Sequence, residues 1–361
     1  MIHDLLLERE QRRTISKLGL DLMITPEGNI KVVEINGVNS GSSGVRELTG
    51  RDIDLEMITD LAQNGLPLFH LGKLKDQVFP HFVSELSHQQ LLAQKWMHPR
   101  APQKTARFVL PIVPESSDIL EGIIWNADSD YYVFNERKYL LINPFAVEHA
   151  AGDKSRVHAL FQGDLLAPLR PKMAFVVRAN KECDVSDFKP NTTYLVLKPT
   201  DEMIGRNVIV VPTEDVFCPD GSLKEHPLAA YRRREEGWYQ EPNVIMEELI
   251  SSKKIGSSRT GKEHNGCMRY LILVESDKGE ITIKHYGGYW RLAPSSIQDS
   301  NLQRQLVANY SNGAIPEHIS DDDLAEVRKC VDTFVPVLYR RMLRLPINDR
   351  PDDLPLEAYC Y

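Results

Sequence analysis

One stretch near the N-terminus, Gly19 to Gly41, limits what this chain can fold into. Apolar residues alternate through Leu20, Leu22 and Ile24, a turn follows at residues 26–28 (Pro-Glu-Gly), and the apolar run resumes over residues 30–35. Alternating apolar runs on both sides of a glycine-containing turn predict a β-hairpin.

Three polar side chains interrupt the apolar pattern of this hairpin. Asp21 lies on the first strand, and Glu34 and Asn36 lie on the second, where their spacing of two places them on one face. Two carboxylates and an amide oxygen are hard ligands, suited to Mg²⁺ held against the phosphates of a nucleotide. The alternative is a surface hairpin with ordinary polar positions, and this stretch alone does not decide between the two.

Composition excludes several classes of protein. At 361 residues and 42% hydrophobic, the chain is long enough for two or three globular domains. Its net charge of -8 argues against a general binder of nucleic acid or of an anionic membrane, so any phosphate binding must be local. Five scattered cysteines without CxxC spacing favour neither a zinc site nor a disulfide framework. No segment reaches the length of a membrane span, and we expect a cytoplasmic protein.

Between residues 1 and 142 the pattern predicts helices and short strands. The helices are expected at residues 4–18, 51–64 and 73–98, and the strands at 108–113 and 139–142. A loop rich in Gly and Ser, residues 37–50, can approach a ligand closely. Gly65 and Pro67 mark a boundary, after which a small α/β unit is expected.

Two lysines in the next part of the chain stand where they can bind an anion. Lys154 lies near the start of a helix predicted within residues 143–161, and Lys198 ends an apolar strand that leads into a loop containing Gly205. Helix starts and glycine loops beside a lysine both suit phosphate groups. The alternative for Lys198 is a strand-end lysine whose ammonium simply reaches water. Further strands are predicted at residues 173–178 and 208–211.

An apolar strand is predicted over residues 244–250, and it reaches Glu247 and Glu248. The following segment, residues 256–263 (GSSRTGKE), nearly matches the phosphate-binding pattern GxxxxGK[ST], but Glu263 replaces the hydroxyl residue that would meet Mg²⁺. No strand is predicted directly before the segment and no helix after it, so we do not interpret it as a P-loop.

Two further strands carry arginines, and a long helix follows them. Arg269 lies in MRYLILVES and Arg291 in ITIKHYGGYWRLAP. Arginines in half-buried strands need partners, which a surface carboxylate or a bound polyphosphate can provide. A helix is predicted over residues 321–343 after the capping run at 320–323, with Pro336 as a potential kink, and residues from 346 onward are expected to be irregular.

Taken together, these motifs resemble the ATP-grasp superfamily of ligases. In that family two lysines, a Glu-rich hinge strand, one or more arginines and a hairpin with Asp and Glu-x-Asn surround ATP and Mg²⁺. Lys154 resembles the first lysine, with Lys172 as a rival, and Lys198 resembles the second. The resemblance implies ATP contacts for Lys154, Lys198, Gly205, Glu247, Glu248, Leu249, Ile250 and Arg269, metal contacts for Asp21, Glu34 and Asn36, and catalytic roles for Arg291 and Lys198.

The motif order departs from that family, because the metal hairpin comes first in the chain rather than last. Circular permutation is the simplest explanation, and the helix at 321–343 would then precede the hairpin in space. The resemblance covers roughly residues 1–50 and 143–343. The carboxylate that usually binds the ribose has no counterpart in residues 251–256.

The resemblance therefore implies an α/β (α+β) fold, an ATP-grasp fold in permuted order with a small α/β pre-grasp domain. The expected units are the hairpin segment at 1–64, the small domain at 65–145, a lid with the lysines and hinge at 146–250, core strands and the C-terminal helix at 251–345, and a tail at 346–361.

The activity implied by the resemblance is ATP-dependent carboxylate-amine ligation. An acyl phosphate would form and meet an amine, with release of ADP and phosphate, and Arg46 in the glycine-rich loop would receive the substrate carboxylate. One alternative is a phosphotransferase. The other is a nucleotide-binding protein without turnover, and the complete metal set argues against this second alternative. The sequence leaves the acid, the amine and the oligomeric state open, and a homodimer is one of the states it permits.

Overall fold

The computed structural model describes residues 13–37, 41–63, 69–74, 77–82, 108–111, 131–134, 137–176, 188, 191–199, 208–222, 224, 244–306, 308 and 313–345. The strands are β1 Thr14–Ile24, β2 Ile30–Asn36, β3 Phe69–Leu74, β4 Gln77–Phe82, β5 Phe108–Pro111, β6 Tyr131–Phe134, β7 Arg137–Leu141, β8 Met173–Val176, β9 Tyr194–Pro199, β10 Ile209–Pro212, β11 Val244–Glu248, β12 Lys254–Gly256, β13 Glu263–Asp277, β14 Glu280–Leu292 and β15 Ile315–Glu317. The α-helices are α1 Ser43–Thr49, α2 Ile53–Gln63, α3 Phe145–Gly152, α4 Lys154–Leu160, α5 Thr213–Val216, α6 Leu302–Leu306 and α7 Asp321–Arg344. Helices and antiparallel sheets are thus mixed, which confirms the coarse α+β class.

The strands form three antiparallel sheets. A six-stranded sheet has the order β15-β14-β13-β1-β2, with β12 paired to β13 off this path. A four-stranded sheet has the order β10-β9-β11-β8, and a five-stranded sheet has the order β4-β3-β5-β7-β6. Both predicted hairpins of the six-stranded sheet, β1–β2 and β13–β14, are confirmed.

Helices α3, α4 and α7 pack on the first face of the six-stranded sheet. Leu18, Leu20 and Leu22 of β1 project into this core, where they meet buried side chains of α7 such as Val331 and Phe334. Residues two apart in a strand share a face, so the alternation visible in the sequence is the one that the sheet uses.

Helix α7 begins and ends as its sequence predicts. The hydroxyl of Ser320 accepts a hydrogen bond from the backbone N–H of Asp323 (3.2 Å), three aspartates lie in the first turn, and Arg341 and Arg344 lie in the last turn. These charges complement the helix dipole. The predicted helix is confirmed with one additional residue at its C-terminus, and Pro336 lies inside it.

The second face of the six-stranded sheet is covered by α1 and α2. A second apolar cluster forms there from Ile15, Leu271 and Tyr289 of the sheet and residues such as Val45 and Met57 of the helices. Helix α1 approaches so closely that a Cβ atom at Gly44 would lie 2.1 Å from the ring of Tyr289. Glycine is therefore required at position 44.

Asn143, two residues after the end of β7, closes a gap in the six-stranded sheet. Its side-chain oxygen accepts from the backbone N–H of Lys17, and its side-chain amide donates to the carbonyl of Lys17, both at 2.8 Å. The pairing of β1 with β2 extends only to Gly19 on that side. Asn143 thus satisfies backbone groups that a longer β2 would otherwise have paired.

Three predicted elements are wrong. Residues 14–18 belong to β1 and not to a helix, because they pair with β13 and are buried on both faces. Residues 77–82, predicted as helical, form β4 paired with β3. Within the glycine-rich loop predicted at 37–50, residues 43–49 form α1. In each case packing or pairing with distant residues overrides the local pattern.

Several predictions lie outside the described residues, among them the helical residues 4–12 and 83–98 and the tail from residue 346 onward. The domain boundaries stay predictions. Within the ranges given above, none of the helices combines the length and apolarity that a bilayer span requires.

The contact between α7 and β1 can be tested at Tyr339. Its buried hydroxyl is hydrogen-bonded to Ser16 (2.7 Å) and to Thr14 (3.0 Å). Tyr339→Phe leaves these two hydroxyls without that partner, so we expect the free energy of unfolding to fall by roughly 1–2 kcal/mol in urea titrations. The control is Thr333→Ala, which removes an exposed hydroxyl of the same helix and should change stability by less than about 0.5 kcal/mol. Equal effects of the two variants would show that the buried hydroxyl of Tyr339 does not stabilise the contact.

Candidate functional site

Strand register brings five of the predicted site residues to the second face of the six-stranded sheet. Asp21 lies opposite Glu34 of β2 on one side and opposite Arg269 of β13 on the other. Asn36 lies opposite Gly19, and Arg291 of β14 lies opposite Cys267. Directly opposed residues of antiparallel strands point to the same face. The structure therefore places the residues predicted to bind metal beside the two predicted arginines.

The pairing between Asp21 and Glu34 depends on a β-bulge. Asp21 faces Glu34, whereas the next residue, Leu22, faces Val32. Val33 is thus the additional residue in β2, and the register shift lets Val32 and Ile35 both reach the apolar core. Without this bulge one of the two would leave the core.

Asp21 is held by both arginines. Arg269 donates from Nε to Oδ1 (2.5 Å) and from Nη2 to Oδ2 (3.1 Å), and Nη2 of Arg291 lies 2.7 Å from Oδ2. Only 2% of Asp21 is exposed. Burial alone would raise the pKa of this carboxyl, but Arg269 and Arg291 outweigh it and lower the pKa. Asp21 is therefore ionised at neutral pH.

A second buried carboxylate, Glu247 of β11, is likewise held by two cations. Arg170 Nη2 donates to Oε1 (2.8 Å), and Lys198 Nζ donates to Oε2 (2.5 Å). Burial would raise the pKa of Glu247, but Lys198 and Arg170 lower it. Lys198 of β9 lies opposite Ile245 of β11, so neighbouring strands of the four-stranded sheet position Lys198 and Glu247. Lys198 is mostly buried and ion-paired with Glu247. The alternative prediction, a lysine whose ammonium simply reaches water, does not describe these contacts.

Arg170 connects the two sheets. Its Nη1 donates to the carbonyls of Val32 (2.9 Å) and Val33 (2.7 Å) at the bulge of β2, while Nη2 holds Glu247 of the four-stranded sheet. The guanidinium also lies 5.6 Å from the ring centre of Phe161, within reach of a cation–π interaction. One buried side chain therefore fixes the edge of one sheet relative to a strand of the other.

Lys154 and His158 complete the cluster from α4. Lys154 Nζ lies 3.6 Å from Glu34 Oε1. Burial and the charge of Arg170 lower the pKa of His158 to about 4, although Glu247 opposes this change. The imidazole is therefore neutral at pH 7. We call these residues the charged cluster: Asp21, Glu34, Lys154, His158, Arg170, Lys198, Glu247, Arg269 and Arg291.

The predicted adenine hinge follows β11. The backbone N–H of Glu248 donates to the carbonyl of Lys172 (2.9 Å), and that of Leu249 donates to the carbonyl of Tyr194 (3.2 Å). Glu248, Leu249 and Ile250 are all partly exposed. Their side chains remain accessible beside the charged cluster, while the first two N–H groups are already used.

Two further predicted residues, Arg46 and Lys172, are not in the cluster. Arg46 lies on α1, with 52% of its side chain exposed, in an ion pair with Asp52. The side chain of Lys172 is exposed, whereas that of Lys154 is mostly buried beside Glu34. Gly205 lies outside the described residues.

The sequence patterns did not identify Arg170, His158 and Cys267 as site residues. Arg170 contacts residues 138 and 77 positions away, and no local pattern marks it. Its place between Pro168 and Pro171 is the one unusual feature of its surroundings. Cys267 accepts a hydrogen bond from Arg291 Nη2 (3.4 Å), and burial raises the pKa of its thiol.

The predicted metal set of Asp21, Glu34 and Asn36 fits Mg²⁺ only in part. A divalent ion about 4 Å from a guanidinium is repelled by roughly 8 kcal/mol at an effective dielectric constant of 20, and two guanidiniums contact Asp21. The expectation that Asp21 is a metal ligand therefore does not agree with its contacts. Glu34 and Asn36 retain oxygens that no arginine contacts in the described part of the chain.

Comparison of the chain with protein-family models and with curated proteins found no match. The function must therefore be inferred from the geometry of the charged cluster.

His158 gives the site a measurable pH dependence. Its pKa is about 4 when folded and about 6.5 when unfolded, so between these values the unfolded chain binds the additional proton. Stability should therefore rise with pH from 4 to 6.5, by roughly 3 kcal/mol at most. His158→Gln should reduce this dependence in urea titrations between pH 4.5 and 7, whereas His318→Gln, at an exposed position, should not. An unchanged profile in His158→Gln would show that this histidine is not buried in neutral form.

Proposed function

We propose that the protein is an ATP-dependent ligase of the ATP-grasp type, which joins a carboxylate to an amine through an acyl phosphate. The observation that carries this proposal is the charge of the cluster. Within the described residues, five cations, Lys154, Arg170, Lys198, Arg269 and Arg291, are in contact with three carboxylates, Asp21, Glu34 and Glu247. Arginine cannot lose its charge by deprotonation, so the excess positive charge favours a polyanionic ligand.

The overall charge of the protein makes this excess more informative. The whole chain carries -8, so concentrated cations are not a consequence of a basic composition. Burial weakens solvation of these side chains and strengthens their interaction with a ligand. A nucleoside triphosphate would supply the negative charge that the carboxylates of the cluster do not.

The position of α7 supports the permuted order. In the family the element before the metal hairpin is a helix, and here α7 contacts β1 through Tyr339, Thr14 and Ser16. The C-terminal part of α7 therefore lies beside the start of β1. This adjacency is what circular permutation requires.

In the proposed reaction a carboxylate oxygen of the substrate attacks the γ-phosphorus of ATP, and the bond to the β-phosphate oxygen breaks to give ADP. The amine then attacks the acyl carbon and expels phosphate. Lys154, Lys198 and Arg291 would stabilise the charge on the transferred phosphoryl group, and residues 248–250 would contact the adenine. Arg46 remains the proposed contact for the substrate carboxylate, and Mg²⁺ accompanying the nucleotide would meet Glu34 and Asn36.

Product analysis tests the reaction class. The purified protein is incubated with ATP, Mg²⁺ and a panel of amino acids and polyamines, and products are identified by mass spectrometry. A ligase gives ADP, free phosphate and a new amide in equal amounts. A phosphorylated product without an amide would identify a phosphotransferase, and absence of turnover with ATP bound would identify a binding protein.

Lys198 tests the nucleotide site directly. Lys198→Met keeps the apolar stem but removes the charge, so we expect ATP affinity to fall about tenfold or more while the protein stays folded, because Arg170 still holds Glu247. Calorimetric titration and a thermal melt measure the two effects. Lys224→Met, at an exposed position, is the control. Unchanged ATP affinity in Lys198→Met would assign this lysine a structural role only.

Permutation can be tested by reversing it. A chain that begins at residue 64, runs to residue 345 and continues through a short linker into residues 1–63 should unfold cooperatively and bind ATP, because α7 already lies against β1. The control lacks residues 1–63 entirely and should not fold, since β1 is an interior strand of the six-stranded sheet. Failure of the permuted chain to fold would contradict the proposed origin.

A further inference from the structure

The contacts of Asp21 differ from those of a metal ligand. Both of its oxygens accept hydrogen bonds from Arg269, and Oδ2 is also paired with Arg291. Three neighbouring strands, β1, β13 and β14, hold the three side chains on one face. The arrangement is therefore built into the most regular part of the fold.

We propose that Asp21 is a positioning residue, which orients Arg269 and Arg291 as a binding site for a phosphoryl oxyanion and does not ligate Mg²⁺. This inference rests on the proposed nucleotide site. It changes the role of Asp21 and leaves Glu34 and Asn36 as the residues available to a divalent cation.

The unused donors of the arginines support an anionic ligand. A guanidinium has five N–H groups, and within the described chain Arg269 uses Nε and Nη2 for Asp21. Arg291 uses Nη2 for Asp21 and Cys267, while its Nε is buried and has no hydrogen-bond partner there. A buried donor without an acceptor is unfavourable. A phosphoryl group offers several acceptor oxygens that such donors can share.

Charge excludes a cation as the ligand of this part of the site. Two fixed positive charges face one carboxylate, so the group of three carries a net positive charge and favours negative ligands. Both the terminal phosphate of a nucleotide and the carboxylate of a substrate are oxyanions. We assign the phosphoryl group, because the buried excess continues through Lys154 and Arg170, as a multiply charged ligand requires.

The first test uses the unmodified protein with EDTA present. Side-chain Nε–H signals of Arg269 and Arg291 are recorded in ¹H–¹⁵N spectra, assigned through Arg269→Lys and Arg291→Lys, and followed during titration with pyrophosphate and, separately, with succinate. We expect pyrophosphate to shift the Arg291 signal and succinate to have a weaker effect. A shift with succinate alone, or no shift with either, would overturn the assignment.

The second test separates the two roles of Asp21. Asp21→Asn should weaken pyrophosphate binding about tenfold or more and leave the dissociation constant for Mn²⁺, measured by electron paramagnetic resonance, within about twofold. Glu34→Gln should weaken Mn²⁺ binding about tenfold. Glu56→Gln, which removes a surface carboxylate paired with Arg51, is the control and should change neither dissociation constant. Equal losses of Mn²⁺ affinity in Asp21→Asn and Glu34→Gln would overturn the proposal.

Two further measurements cover the remaining outcomes. If Asp21→Asn does not fold, the double variant Asp21→Asn/Arg291→Gln is used in its place for the Mn²⁺ measurement. The double variant removes one carboxylate charge together with one guanidinium charge. If the unmodified protein binds pyrophosphate in EDTA but never binds ATP, the proposed function fails while the arginine site stands. If it binds ATP but not pyrophosphate, the arginine site fails while the proposed function stands.

Discussion

Strand β1 is the element on which the rest of the structure depends, because it is interior to the sheet and nevertheless carries charges. Lys17 is fully buried, and Asp21 is nearly so. A buried charge is tolerated only with a partner, and Asp54 of α2 lies 2.5 Å from Lys17, while the arginines of β13 and β14 hold Asp21. These pairs require α2, β13 and β14 to lie where they do, so the charged face of β1 positions the elements around the candidate site.

A second constraint acts between the sheets. Arg170 joins the bulge of β2 to Glu247 of β11, and removing one partner of such a buried pair commonly costs about 3–5 kcal/mol. The four-stranded sheet is therefore held to the six-stranded one by buried polar contacts. Because the same contacts surround the proposed phosphate site, ligand binding and the relative position of the sheets are expected to be coupled.

The charged cluster agrees with the ATP-grasp resemblance in some respects and departs from it in others. Lys154, Lys198, Arg269, Arg291 and Glu34 all belong to the charged cluster, although they are spread over most of the chain. Asp21 departs from it, since arginines occupy the oxygens that the resemblance gave to a metal. Lys198 and Glu247 are paired with each other, so a ligand must reach the donors of Lys198 that Glu247 does not use.

The sequence by itself determined the elements whose pattern is local: the β1–β2 hairpin, the β13–β14 hairpin, and helix α7 with its Ser320 cap. It also identified the charged residues of the strands, because a charge in an apolar run is visible without a structure. Tertiary structure alone decided that residues 14–18 extend a strand, since their conformation is set by pairing with β13. It likewise decided which charges meet: Asp21 and Arg269 are 248 positions apart, and Arg170 and Glu247 are 77 apart. Local spacing predicts which face a side chain occupies, but only the register of distant strands determines the partner it finds there.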